Sequence, residues 1–166
     1  MPCATVGACL TILSAAMSEP ARRQLYVAEP SPRFGVPKPA VVDTSVVAAL
    51  LFAEREQPEA ARMLSACRPV APDLLAHEIT NVAVNKLRRG EPLDLMHQRL
   101  ANFWNLAIEL VPPDTALTLA LAARFKLTAY DAAYLALAGT LQCPLCTFDQ
   151  RLADAAARYL GGDAEP

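Results

Sequence analysis

The sequence is short of positive charge. Its 166 residues carry 15 Lys and Arg against 17 Asp and Glu, a formal net charge of −2. A dedicated nucleic-acid binder usually shows a clear basic excess, and bulk charge gives no sign of one. Aromatic residues make up 6% of the chain, too few for base stacking to be the main grip on a single strand. Charged residues are also sparse, at 19% against 54% hydrophobic, which excludes a disordered chain. No apolar run reaches the ~20 residues that cross a bilayer, because Asp43, Asp131 or a proline breaks each one. Residues 5–17 are apolar, yet no Lys or Arg precedes them, so the basic start of a secretion signal is missing. A translation start at Met17 is an alternative that N-terminal sequencing would decide.

A disulfide framework is missing too. The cysteines are Cys3, Cys9, Cys67, Cys143 and Cys146, an odd number at uneven spacing. Cys143-Pro144-Leu145-Cys146 has redox-motif spacing, but an apolar, strand-like run follows the first cysteine where a redox motif needs a helix. No second pair supplies the further ligands of a zinc site. Packed, reduced thiols in a cytoplasmic protein are the reading for this pair.

What is present begins with proline. Pro20, Pro30, Pro32, Pro37 and Pro39 exclude a helix or a central strand there, and Arg22, Arg23, Arg33 and Lys38 lie among them. Residues 1–38 read as an extension or linker, 39–160 as the compact domain and 161–166 as a short acidic tail. Inside the domain, strands are expected at 40–43, 70–71, 108–111 and 145–148. Helices are expected at 44–54, 56–66, 73–89, 92–107, 114–125, 130–141 and 150–159. Pro72 suits the first turn of the third helix, and Gly90 suits its stop. Continuous apolar strands alternating with helices predict an α/β fold, a central parallel sheet with helices on both faces. Ligands of such sheets sit beyond the carboxyl ends of the strands.

Four acids fall where that edge is expected. Asp43 closes Val41-Val42, and Asp149 closes Leu145-Cys146-Thr147-Phe148. Each alone is explained as an N-cap of the next helix. Asp131 lies three residues after Thr128, the spacing of a capping box, on a helix otherwise built of Ala, Leu and Tyr. Glu78 shares a face with Asn81 and Asn85, apart from the apolar face of Leu75, Ile79 and Val82. A solvated stripe is the plain reading of that face. His77-Glu78 opens no zinc-protease motif, since Asn81 stands where the second His belongs. Taken together the acids say more. Carboxylates gathered at one edge repel unless cations sit between them. Mg²⁺ and Mn²⁺ prefer such hard oxygen ligands and activate water in phosphodiester cleavage.

The motifs Val41-Val42-Asp43-Thr44-Ser45, Ala76-His77-Glu78-Ile79-Thr80-Asn81, the run Ala129-Tyr130-Asp131-Ala132-Ala133-Tyr134 and Thr147-Phe148-Asp149-Gln150 resemble a PIN-domain ribonuclease. The nearest likeness is to VapC-type toxins of toxin–antitoxin pairs, over about residues 38–160. The resemblance implies a PIN-like three-layer sandwich, with Asp43 and Asp131 as principal metal ligands. Glu78 and Asp149 would complete the acidic pocket, and Thr44, Ser45, Asn81 and Thr147 would support it. It further implies RNA as substrate, Mg²⁺ or Mn²⁺ as cofactor, a cognate antitoxin, a homodimer and no membrane partner. Two features depart from the family pattern: the proline-rich residues 1–38, and Gln142, where relatives often stop the helix with Gly.

Charge alone suggests Lys86, Arg88, Arg89, Arg124 and Lys126 as contacts for an RNA backbone, against a plain role in solubility. Without the four site acids, residues 39–160 hold 11 basic and 9 acidic groups, so an acidic pocket would lie in a slightly basic surface. A dehalogenase-type phosphatase would need a second Asp two residues after the first, where Ser45 stands. A non-catalytic interaction module would be expected to lose some of the acids, and all four are present. An RNA-processing nuclease with no toxin role fits the same residues.

Overall fold

Val41 and Val42 are consecutive strand residues, so their side chains point to opposite faces of the sheet. Both have no exposed surface, so helices cover both faces there. The structure, a computed structural model, describes residues 26–28 and 37–161. Pro39–Val42 (β2), Arg68–Pro72 (β3), Glu109–Val111 (β4) and Leu145–Thr147 (β5) form a parallel sheet. Tyr26–Ala28 (β1) adds an antiparallel edge, giving the order β1-β5-β2-β3-β4. Seven helices flank the sheet among the described residues. Thr44–Leu51 (α1), Gln57–Ala66 (α2), Leu75–Arg88 (α3) and Leu93–Phe103 (α4) pack together. Thr115–Phe125 (α5), Ala129–Leu141 (α6) and Gln150–Leu160 (α7) form a second group, with α6 against β2, β3 and β5. The expected α/β sandwich is therefore present. Val70, Leu145 and Cys146 of the sheet share one core with Val46 and Val47 of α1 and Ala132, Leu135 and Ala136 of α6. No helix of the described residues is long and apolar enough to cross a membrane.

Pro72 corrects one expectation. It ends β3 opposite Val111 instead of opening a helix, and α3 starts at Leu75. The fixed φ of proline suits a strand end as well as a first helical turn, and a missing N–H costs least at an end. The next residue resumes the bonding, with Asp73 N–H donating to the Val111 carbonyl at 3.0 Å. The linker reading of residues 1–38 did not anticipate β1. Residues 26–28 lie in the proline-free gap between Pro20 and Pro30, and they take the sheet edge, where flanking prolines are tolerated. Residues 1–25, 29–36 and 162–166 lie outside the described residues, as do Cys3, Cys9 and the apolar stretch 5–17.

The thiols of Cys143 and Cys146 are buried and form no disulfide, as expected. The Cys146 thiol lies 3.5 Å from Met63 Sδ. Burial pushes the Cys143 thiol above its ordinary value, the opposite of a reactive cysteine. Gln142 ends α6 at φ 49° and ψ 47°, in the left-handed region. That conformation costs an L-residue about 1–2 kcal/mol, and glycine avoids the Cβ clash. Gln142→Gly should therefore stabilise the fold by roughly 0.5–1 kcal/mol once glycine's greater unfolded-state freedom is counted. A rise in the urea midpoint would show it, and a fall would mean that the turn is unstrained.

Candidate functional site

The site is built at the carboxyl ends of β2 and β5. Asp43 follows β2 and caps α1, its Oδ1 accepting from Val46 N–H at 3.2 Å. The same oxygen accepts from Ser45 Oγ at 2.6 Å, and Oδ2 accepts from Thr147 Oγ1 at 2.7 Å. Asp43 is 6% exposed, and each of these donors is neutral. Burial pushes its pKa up to about 6, against the lowering effect of the Ser45, Thr147 and Val46 bonds. A carboxylate buried without a cationic partner is expensive, and a bound cation would relieve that cost.

Thr147 is fully buried and works in two directions. Its hydroxyl donates to Asp43 and accepts from Asp149 N–H at 2.8 Å. Asp149 in turn caps α7, accepting from Leu152 N–H at 2.9 Å, and is exposed. Ser45 Oγ also accepts from Phe148 N–H at 2.8 Å, which ties α1 to the end of β5. Adjacent parallel strands thus place Asp43 and Asp149 at one edge, joined through Thr147.

Glu78 turns inward from the first turn of α3. Its Oε2 accepts from Thr44 Oγ1 and from the Tyr134 hydroxyl, each at 2.5 Å, while those two hydroxyls lie 2.9 Å apart. Among the described residues nothing in the protein donates to Oε1. The Tyr134 hydroxyl is held well above its ordinary pKa, first by burial and then by the Glu78 charge, so it stays a donor. Tyr134 was missed in the sequence, where it reads as one more core residue of α6. The available signal was its position one turn after Asp131, on the same helix face.

Asp131 is half-buried near the start of α6. Its Oδ2 accepts from Thr128 Oγ1 at 2.8 Å, and its own N–H donates to that oxygen at 3.1 Å. The capping pair read from the sequence is real. Asp43 and Asp149 are linked through Thr147, and Glu78 is held by Thr44, the chain neighbour of Asp43, whereas among the described residues Asp131 is bonded only to Thr128. Asn81 is exposed on α3, one turn after Glu78. No three His, Cys, Asp or Glu side chains of the described residues are gathered closely enough to hold a metal ion. Mutual repulsion spreads carboxylates that have no cation between them. The donor set still fits Mg²⁺ or Mn²⁺: every ligand candidate is a hard oxygen, and among the described residues no cation bonds Asp43.

Known proteins share this fold. The sequence profile described as PIN domain matches residues 40–158. The chain belongs to the PIN-domain family. Within it, the chain is 32% identical over 120 residues to Ribonuclease VapC3 of Pyrobaculum aerophilum, covering 69% of this chain and 92% of that protein. The crystal structure of PAE2754 from Pyrobaculum aerophilum has the same fold. Its TM-score is 0.59 at 20% identity, over 71% of this chain and 79% of that one. The matched region contains all four acids and nearly all of the parallel sheet, while β1 lies before it.

The basic residues separate in the structure. Lys86 Nζ pairs with Glu54 Oε1 at 2.9 Å and lies 5.1 Å from the Phe52 ring centre, so it follows the plain structural reading. Arg124 lies over the Phe125 ring at 5.1 Å. Arg88 and Arg89 are exposed at the end of α3, as is Lys126 after α5.

Proposed function

We propose that this PIN domain is a metal-dependent endoribonuclease, the toxin of a toxin–antitoxin pair. The observation that carries the reading is the buried Asp43 carboxylate, held by neutral donors at the sheet edge with Glu78 and Asp149 networked beside it. Asp43 and Asp131 would be the principal ligands of Mg²⁺ or Mn²⁺, with Glu78 and Asp149 completing the pocket. A divalent ion held there supplies an activated water and steadies the leaving oxygen of the phosphodiester. The protein's own part is orientation. Ser45 and Thr147 fix both oxygens of Asp43, and Thr44 and Tyr134 fix Glu78. Asn81 on α3 supports the pocket, and Arg88 and Arg89 at the end of that helix are contacts for the RNA backbone. The nuclease unit spans 39–160, with β1 as an added edge.

The kinship with a protein named as a VapC ribonuclease supports RNA as substrate and an antitoxin as partner. An antitoxin side chain that delivers a guanidinium to the pocket would satisfy Asp43 and block the metal at once. The homodimer and the cytoplasmic setting belong to the same reading. Purified protein should cleave structured RNA with Mg²⁺ or Mn²⁺ and stop in excess chelator. Cleavage that persists in chelator would refute the metal mechanism. Induced expression should halt growth, and Asp131→Asn should relieve it. Cleavage in vitro without growth arrest would favour an RNA-processing nuclease with no toxin role.

A further inference from the structure

The family match begins at residue 40, so β1 lies outside it. Yet β1 joins the sheet beside β5, with Tyr26 opposite Thr147, Val27 opposite Cys146 and Ala28 opposite Leu145. The other side of β5 pairs with β2 at Val41 and Val42. β5 is only three residues long, and without β1 it would be an open edge. Its last residue, Thr147, is the one whose hydroxyl reaches Asp43.

A second contact lies past the end of the strand. The Tyr26 hydroxyl donates to Gln150 Oε1, and Gln150 Nε2 donates to Asp154 Oδ1 at 2.7 Å. α7 also packs against β1. Tyr26 therefore holds residues 147–150 at both ends, by main-chain pairing at Thr147 and by its side chain at Gln150. The turn between them contains Asp149 and the Phe148 N–H that donates to Ser45. Short edge strands open locally at little cost, so a clamp at this turn restricts the motion that would misplace Thr147 and Asp149.

We propose that β1 is a positioning element of the acidic site, holding the 147–150 turn so that Thr147 and Asp149 keep their places relative to Asp43. This rests on the metal-nuclease reading of that site. It gives part of the proline-rich extension a role in activity, outside the region that matches the family.

The test uses the full chain with Ala28→Pro, which removes the main-chain donor facing Leu145 and breaks the strand pairing, and Tyr26→Phe, which removes only the hydroxyl. Ala28→Pro should weaken Mn²⁺ binding about tenfold, as loss of an outer-shell support does, and Tyr26→Phe should act in the same direction but less. In RNA cleavage kcat should fall while KM stays near that of the wild type. Amide hydrogen exchange at Phe148 and Asp149 should accelerate in both variants without metal. A plain edge strand would lower the melting temperature and leave the Mn²⁺ affinity of the folded protein unchanged. Unchanged affinity beside normal wild-type binding overturns the positioning role and leaves the nuclease reading standing. If the wild type neither binds Mn²⁺ nor cleaves RNA, the nuclease reading falls and the positioning role falls with it. Unchanged exchange at Phe148 and Asp149 overturns the clamp whatever the metal does. Should Ala28→Pro fail to fold, Tyr26→Phe carries the same readouts.

Discussion

Asp43→Asn should reduce RNA cleavage by at least about 100-fold while raising the melting temperature of the metal-free protein at pH 7.5. Loss of an outer-shell support costs 10–100-fold, and a principal ligand sits at or beyond the upper end of that range. The stability gain comes from burial. The folded pKa of Asp43 stands at about 6, above the ordinary 3.8. A group raised in the fold contributes fully below its unfolded value, and the contribution is lost as pH rises through the folded value. Ionised Asp43 therefore costs the metal-free fold about 3 kcal/mol at neutral pH. Asparagine removes that charge but leaves one of the Ser45, Thr147 and Val46 donors without an acceptor, at about 1 kcal/mol. A net gain of about 1–2 kcal/mol corresponds to a rise of several degrees. The gain should vanish below about pH 4, where the wild-type carboxyl is protonated in both states. Saturating Mn²⁺ should stabilise the wild type and not the variant. Thermal melts from pH 3 to 8, with and without Mn²⁺, check all three. A variant less stable than wild type at pH 7.5 in chelator would show that Asp43 is not the strained group described.

Thr147→Val should be damaging although the two side chains have nearly the same shape. The hydroxyl is the donor to Asp43 Oδ2 and the acceptor of Asp149 N–H. Both groups lose their partner at a position with no exposed surface. An unsatisfied buried polar group costs about 1–3 kcal/mol, so a loss of about 2–4 kcal/mol is expected. Cleavage should fall 10–100-fold, since Asp43 and Asp149 lose the atom that joins them. Thr147→Ser keeps the hydroxyl and should recover most of both. Denaturant midpoints and initial cleavage rates of the pair measure it. A valine protein with wild-type cleavage would remove Thr147 from the site.

The two predictions rest on residues of unequal legibility. Asp43 and Asp149 could be read because each is a charge directly after an apolar run, a local pattern. The Thr128–Asp131 pair could be read because a capping interaction spans one helical turn. Tyr134 could not, because its meaning lies in a bond to Glu78, 56 positions away in the chain. The same holds for Thr147 and Asp43, which meet across 104 positions. Pro72 misled because proline suits a strand end and a helix start alike. β1 escaped because three residues carry no periodicity, and only pairing with β5 makes them a strand. Lys86 looked like a free cation because nothing local announces Glu54 as its partner.

Every site acid stands at the beginning of a helix. Asp43 and Asp149 cap α1 and α7, while Glu78 and Asp131 lie in the first turns of α3 and α6. The aligned peptide dipoles of a helix leave about half a positive charge at that end. Each carboxylate thus meets a fixed backbone field worth about 0.3–1 kcal/mol, which side-chain substitution cannot remove. The fold carries its own partial counter-charge, spread over four main-chain termini. The repulsion that keeps the four anions apart is therefore already partly offset before any cation arrives.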